Sequence, residues 1–446
     1  MRQAVFLTIF GVLLPICFFR PFFGISLWTV ISYLSPHRYT YGFAQNLSVG
    51  YMTAVPTLAG MVISGKFRMP PLTRETFLLA LLWVWFGLTT LNVYSSNLLV
   101  HHLADTLFRF GNVSKILLMV FVATILVSDR NKLRWWYLAT AGCFAFLALK
   151  ATRFGVLTSG EFRVYGPPGT DLEDNNGFAL ALNMTLPMFL YLGGIEKSRG
   201  VRVGLRIGFF AALVGIVLSY SRGALVGLVC VLLVIALQSK YRVRALLAVA
   251  ILGTLLVAVA PQQWIERMET LQTAQKTDLS AQERFHSWNF ATHLALEFPI
   301  LGGGFETFTT PLYQRYGLSL FTSEGNQFGP HSIYFQMLAE HGFPGLILFL
   351  TIIGSCILSG QRIKRRFRRI APNHWLVAYA KMIIASLFAY AASGAFLGFA
   401  FFDLFYQIVG TTIILRSLAT KEEMLIAAAD ESDLMHPEEA TVSAAT

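Results

Sequence analysis

Gly329-Pro330-His331-Ser332-Ile333-Tyr334-Phe335-Gln336-Met337-Leu338-Ala339-Glu340 joins a polar segment of about seventy residues to a hydrophobic run long enough to span a bilayer. The junction puts an ionisable imidazole at the expected water–lipid boundary. Histidine titrates near neutral pH and can take a proton there. Apolar runs of similar length recur from end to end of the 446 residues, of which 55% are hydrophobic and 13% charged, with a mean hydropathy of +0.58. A soluble domain carries roughly a quarter charged residues, so the reading is an all-α, polytopic integral membrane protein.

Spans are expected near 4–34, 43–63, 75–93, 108–128, 133–150, 176–195, 203–220, 223–239, 243–260, 332–359, 375–397 and 402–416. Five basic clusters separate them: Lys66/Arg68/Arg74, Arg130/Lys132/Arg134, Lys197/Arg199/Arg202/Arg206, Lys240/Arg242/Arg244, and Arg362 to Arg369. The positive-inside rule assigns all five to the cytoplasm. Segments 94–107, 151–175 and 261–331, with the tight turn around Ser219 to Gly223, then lie outside. Residues 4–34 would form a helix of about 46 Å, too long for one straight pass and short for two. One pass kinked at Pro15, Arg20 and Pro21 is favoured and gives about twelve spans; two short passes would give thirteen.

The expected organisation is a bundle of about nine spans over 1–260, a large outer loop over 261–331 and C-terminal spans over 332–416. A disordered acidic cytoplasmic tail over 417–446 completes it. In the outer loop, Phe285, Trp288, Thr292 and Leu296 recur at helical spacing and suggest an amphipathic helix capping the bundle. Gly302-Gly303-Gly304-Phe305 reads as a flexible turn close to membrane or substrate, with no strand before it and no GK[ST] ending to make a nucleotide cradle.

The net charge of +11 is distributed as loop clusters and suits anionic lipids or a phosphorylated substrate, with no nucleic-acid partner suggested. Cys17, Cys143, Cys230 and Cys356 all fall in apolar runs, so no pairing is implied. No H-E-x-x-H, paired C-x-x-C or carboxylate cluster indicates a metal, and no Gly-x-Ser-x-Gly appears. What remains for chemistry lies in outer segments. Arg163 precedes Asp174-Asn175-Asn176, Arg222 tips a hairpin, Arg284 opens the capping helix, and His331 begins a span. Guanidinium groups match diphosphate oxygens with paired hydrogen bonds. His286 and His293 make no metal set with His331, Arg315 reads as a surface residue, and His341 as a packing or polar-network residue deeper in the same helix. His101 and His102 have no evident role.

These residues resemble a family. Ser221-Arg222-Gly223, Glu283-Arg284 with Trp288, Pro299 to Phe305, and His331-Ser332-x-Tyr334 followed by Leu338-Ala339-Glu340-x-Gly342-x-x-Gly345-Leu346 are similar to the O-antigen ligase and polymerase superfamily. Tyr33-Leu34-Ser35-Pro36-His37-Arg38 and Arg163-Val164-Tyr165-Gly166-Pro167-Pro168-Gly169 to Asn176 resemble its exosortase-associated O-glycosylation ligase branch. The resemblance, over residues 1 to about 416, implies a bacterial inner-membrane enzyme working at the periplasmic face without cofactor or metal. Its donor would be a glycan on undecaprenyl diphosphate. Its acceptor would be a glycolipid, a protein or another polysaccharide.

By that resemblance His331 would activate the acceptor hydroxyl, while Arg222 and Arg284 hold the diphosphate. Arg163, Asn175, Asn176 and Tyr334 are added as substrate-binding candidates from their outer positions. A polymerase, which uses a second lipid-linked glycan as acceptor, is the near alternative. A transporter or flippase would need central charges that the spans lack. A structural scaffold would leave the outer-face histidine and arginines as coincidence.

Overall fold

The computed structural model describes residues 2–258, 279–317 and 328–435, and among them it is helical without strands. Among the described residues eight helices are long and apolar enough to cross a membrane, and three shorter apolar ones, Pro21–Leu34, Val49–Ile63 and Arg222–Gln238, stand beside them. The all-α polytopic architecture is therefore as expected.

The N-terminal run differs from the single kinked pass. It forms α1 (Arg2–Phe19) and α2 (Pro21–Leu34), folded back on each other. Phe10 and Ile31 share a small cluster with Phe6, Leu14 and Leu27, and the Phe6 ring lies 6.4 Å from that of His37. The reason is local: Arg20 leaves helical geometry at φ −131° and ψ 78°, and Pro21 restarts the chain at a first-turn position where it needs no N–H. The beginning of α1 therefore shares a face with the short 3-10 turns Pro36–Tyr39 and Gly42–Asn46.

Next come α3 (Val49–Ile63), α4 (Arg74–Ser95), α5 (Leu103–Leu126), α6 (Arg130–Leu157), α7 (Asn175–Ile195), α8 (Arg199–Leu218), α9 (Arg222–Gln238) and α10 (Arg242–Ala258). The segment between α10 and α13 contributes α11 (Leu279–Glu297) and α12 (Thr310–Tyr316); α13 (Ile333–Ile370), α14 (Trp375–Gly394) and α15 (Asp403–Met435) follow. The hub is α7 and α14, whose most apolar windows are 72% and 78% buried. Helix α9 packs closely on both, because its Gly227 faces Ser393 of α14 and Asn183 of α7, whose amide donates to the Ala224 carbonyl of α9 at 2.7 Å.

Polar contacts tie the ends that carry the basic clusters. Arg134 makes two 2.8 Å bonds to Glu196, and the buried Glu75 accepts from Ser355, Ser359 and Arg416. The acidic tail departs from the disorder expected after residue 416, because α15 runs on to Met435. Its Glu422 meets His374 at 3.2 Å and Glu423 meets Arg366 at 2.7 Å, so the first acidic residues pair with basic ones. Residues beyond 435 lie outside the described set.

The capping helix α11 is present, but its buried stripe is Ser287, Phe290, Ala291, Leu294 and Ala295. Phe285, Thr292 and Leu296 are exposed and Trp288 sits at the edge. Both stripes satisfy the helical period. The buried one wins because Phe290 stacks on Tyr313 of α12 at 4.0 Å and Ser287 Oγ donates to the Gly329 carbonyl at 2.7 Å.

The triple glycine is a splint. Helix α13 breaks at Gly342, with φ 68° and ψ −174°. Pro344 offers no N–H to the Glu340 carbonyl, so that oxygen accepts from Gly304 N–H instead, at 2.8 Å. Gly303 N–H serves the Ala339 carbonyl at 2.8 Å, Phe343 N–H reaches the Pro299 carbonyl at 2.9 Å, and Trp85 Nε1 donates to the His341 carbonyl at 3.0 Å. This backbone approach requires glycine, since a Cβ on Gly342 would lie 2.3 Å from the Ile300 oxygen. Gly342→Ala is therefore expected to lower stability by about 2 kcal/mol or more, from the strained dihedral and the clash. Gly354→Ala, where a Cβ meets nothing within 4 Å, should be neutral or slightly stabilising. Thermal unfolding in detergent checks the pair; equal melting of both variants would refute the splint.

Candidate active site

The junction 328–332 is clamped from two sides. Ser287 of α11 holds the Gly329 carbonyl, and Pro330 packs against Gly398 in the turn before α15. Ser332 caps α13 by accepting from Tyr334 N–H at 3.3 Å, which fixes where the helix begins. His331, one residue earlier, sits at φ +45°, a left-handed conformation uncommon for a non-glycine residue. Its ring is half-buried.

Three influences act on the His331 imidazole. Burial lowers its proton affinity most, the Arg284 guanidinium lowers it further, and the Asp174 carboxylate opposes both. The net effect holds it below the ordinary value of 6.5, so the ring is neutral near pH 7 and keeps a lone pair for a proton. Asp174 caps α7, its carboxylate accepting from Asn176 N–H at 2.9 Å and Gly177 N–H at 3.0 Å. The sequence reading named this residue only as part of a motif; its place beside His331 comes from the fold.

The loop 158–174 is pinned to the α8–α9 turn. Val164 N–H donates to the Leu218 carbonyl at 3.1 Å, Tyr220 donates its hydroxyl to the Gly160 carbonyl, and Asn175 Nδ2 donates to the Ser219 carbonyl at 2.7 Å. Arg163 is exposed beside Tyr220, close enough for its charge to act on the phenol. Arg222 begins α9, and its neighbour Gly223 lies under Phe396, against which Trp288 of α11 packs at 6.5 Å. Trp288 also stacks on Phe335 of α13 at 5.2 Å. The N-terminal ends of α7, α9 and α13 are therefore held together with α11.

Two candidates are engaged in structural bonds. Asn175 is buried in its bond to Ser219, and the Tyr334 hydroxyl donates to the Ala391 carbonyl at 2.9 Å, tying α13 to α14. Asn176 remains at the surface, its amide 3.3 Å from Asp174 Oδ1. An open cavity of about 560 Å³ lies against the same loop, lined by Tyr165, Thr170, Asp171, Glu173 and Asp174 among others.

A residue that sequence reasoning missed is Arg109 of α5. Its guanidinium lies 3.5 Å from Asp171 and 3.5 Å from Glu306, bridging the 158–174 loop to the glycine splint. The same splint is held by His102 Nε2 at 3.0 Å from the Gly303 carbonyl and by Thr106, which donates to the Phe305 carbonyl at 2.7 Å. His341 is buried, with Nδ1 2.9 Å from Thr89 Oγ1 and its ring among Phe86, Phe305 and Phe401, which matches a packing and polar-network role. Among the described residues no group of three His, Cys, Asp or Glu side chains is placed to hold a metal.

Residues 207–350 match the O-antigen ligase family, and residues 1–179 match a family of unknown function. No curated protein matches the chain. The first match contains Arg222, Arg284, His331 and the whole broken-helix motif; the second contains Arg163 and Asp174 to Asn176. The match supports a membrane protein of glycan ligase or polymerase type.

The charge environment of His331 is directly measurable. Acylation of its neutral ring by diethylpyrocarbonate, followed by peptide mass spectrometry, should rise with pH through a midpoint below 6.5. Asp174→Asn keeps the helix cap but removes the opposing carboxylate, so the midpoint should move lower still; Arg284→Gln should move it higher. Midpoints unmoved by both substitutions would separate His331 from these partners.

Proposed function

We propose that the chain is a glycosyl ligase of the bacterial inner membrane. It would move a glycan from undecaprenyl diphosphate to an acceptor hydroxyl at the periplasmic face. The observation that carries this reading is the half-buried imidazole of His331, held in a left-handed conformation just before α13 and acted on by the opposing charges of Arg284 and Asp174. In this scheme the acceptor hydroxyl attacks the anomeric carbon and gives its proton to His331. The bond from that carbon to the diphosphate oxygen breaks, and undecaprenyl diphosphate leaves with the electron pair.

Attack opposite the leaving group inverts the anomeric centre. Arg284 and Arg222, with Arg163 at the loop, would hold the diphosphate as charge develops on it. The proximity of Arg284 also keeps His331 unprotonated before the reaction. Asp174 would stabilise the imidazolium once formed. Asn176 and the hydroxyl- and carboxylate-bearing cavity beside it suit sugar hydroxyls, whereas Asn175 and Tyr334 serve by fixing the frame. The resemblance of residues 33–38 and 163–176 favours the exosortase-associated branch, and so ligation over polymerisation.

With purified protein, a defined undecaprenyl-diphosphate glycan and candidate acceptors, a single capped product is expected; a ladder of lengths would instead make the protein a polymerase. His331→Ala should lower transfer by about 10²–10⁴-fold, the usual contribution of a general base. Arg284→Ala should lower it by about 10²–10³-fold, the scale of one lost charge-stabilising donor. Both variants should keep the wild-type melting profile. Full transfer by both would reject the mechanism. Loss of transfer at low pH should follow the protonation of His331, with activity present above its lowered pKa and lost as pH falls through it.

A further inference from the structure

The end of α13 far from His331 gathers like charges that the proposed transfer leaves without a task. Lys364 and Arg368 stand one helical turn apart there, a spacing at which two cations repel each other. Arg365 lies beside them, Arg242 comes from the start of α10, and Lys381 comes from α14. The charges that act on Lys364 are those of Arg365, Arg368 and Arg242; those that act on Lys381 are Arg368 and Lys364. Every one is positive. Among the described residues none of these side chains has an ion pair with a carboxylate, and Glu422 and Glu423 of α15 pair instead with His374 and Arg366.

Lys364 and Lys381 are half-buried, so solvent ions screen this repulsion less than at an open surface. The Lys381 ammonium sits 5.9 Å over the ring of Tyr191 in α7, and the Tyr191 hydroxyl donates to Gln238 Oε1 of α9 at 3.2 Å. That bond sets which end of the amide is which. It leaves Gln238 Nε2 buried with no partner among the described residues. The groups that remain for a ligand are two ammonium groups, guanidinium groups and one amide N–H, all of them donors. Such a set fits an oxyanion, and neither a cation nor a neutral sugar, whose hydroxyls need acceptors as well. We propose that this convergence of α9, α10, α13 and α14 binds a phosphate group, with Lys364 and Lys381 as its central ligands. Two sources carry that chemistry: the headgroup of an anionic phospholipid, and a free phosphate or diphosphate. Either would offset the mutual repulsion and tie the end of α13 to α10 and α14. The site shares no residue with the glycan-transfer reading and stands or falls apart from it.

The test uses the full chain in mild uncharged detergent. It is offered equal amounts of dioleoyl phosphatidylglycerol and dioleoyl phosphatidylcholine, with and without sodium pyrophosphate, and native mass spectrometry reads what is retained. Phosphatidylglycerol should be kept over phosphatidylcholine by about fivefold or more, the scale of one basic residue at a membrane surface, if the source is a lipid. Pyrophosphate kept in place of the lipid would make the source a soluble phosphate and uphold the site. In either case Lys364→Gln with Lys381→Gln should remove the retention. Arg199→Gln with Arg206→Gln, which takes the same charge from α8, should leave it intact. Without ligand, Lys364→Gln should melt at or above the wild type, because a repelled charge has gone. A melt well below it would mark Lys364 as a structural cation and overturn the proposal. So would equal loss of retention in both double variants, retention unchanged by Lys364→Gln with Lys381→Gln, or a wild type that keeps neither phosphatidylglycerol in preference nor pyrophosphate.

Discussion

The structure depends on a break in a membrane helix that has been closed from outside. In a bilayer core every backbone N–H and C=O must find a partner within the protein. Helix α13 breaks this rule at Gly342-Phe343-Pro344, where a left-handed glycine and an imino acid free the carbonyls of Ala339 and Glu340. The outer loop repairs the break by sending Gly303 and Gly304 down to those oxygens and taking Phe343 N–H onto Pro299. A ladder made between segments instead of within one fixes the outer loop to the bundle. The anchoring contacts from α4 and α5, through Trp85, His102 and Thr106, extend that fixation across the rim.

That constraint explains how a loop can be held in a fixed position. Upstream, the splint follows directly from α11 through Phe298, whose carbonyl accepts from Gly302 N–H at 2.9 Å. Downstream, α13 begins at the Ser332 cap beside His331. Arg284 on α11 and His331 before α13 are thus two ends of one clamped unit. Arg109 adds a lateral tie, because its guanidinium reaches both Glu306 in the splint and Asp171 in the loop that ends at Asp174. The partners that set the proton affinity of His331 therefore come from elements that share backbone and side-chain bonds.

Much of the framework was legible in the sequence because hydropathy and basic clusters are strong, local signals. The all-helical, membrane-spanning class follows from apolar length and charge. Three features were not legible, each for a physical reason. The fold-back at Arg20-Pro21 looks like a kink, since both leave the same apolar composition. The buried stripe of α11 is ambiguous because two sets of positions meet the same period, and the choice rests on Phe290 stacking on Tyr313. The glycine splint reads as flexibility because its partner, the break at Gly342, is forty residues away in sequence. At the candidate site the residue types were visible, but not that Asn175 and Tyr334 spend their donors on Ser219 and Ala391.

Electrostatics gives the last step of synthesis. A diphosphate site wants dense positive charge, yet a general base wants to remain unprotonated and then to accept a proton. Guanidinium groups alone serve the first need and work against the proton transfer, because they disfavour the imidazolium. In the proposed scheme the Asp174 carboxylate would answer that conflict: it is held by two backbone N–H groups at the cap of α7, and its charge acts on His331 against that of Arg284. Its charge opposes Arg284 at the ring, so the imidazole is neutral at rest but not prevented from charging. The tether of Asn175 to Ser219 fixes the start of α7, and with it the distance over which that balance operates. In that scheme a motif that reads as three small polar residues would act through one carboxylate and one structural amide.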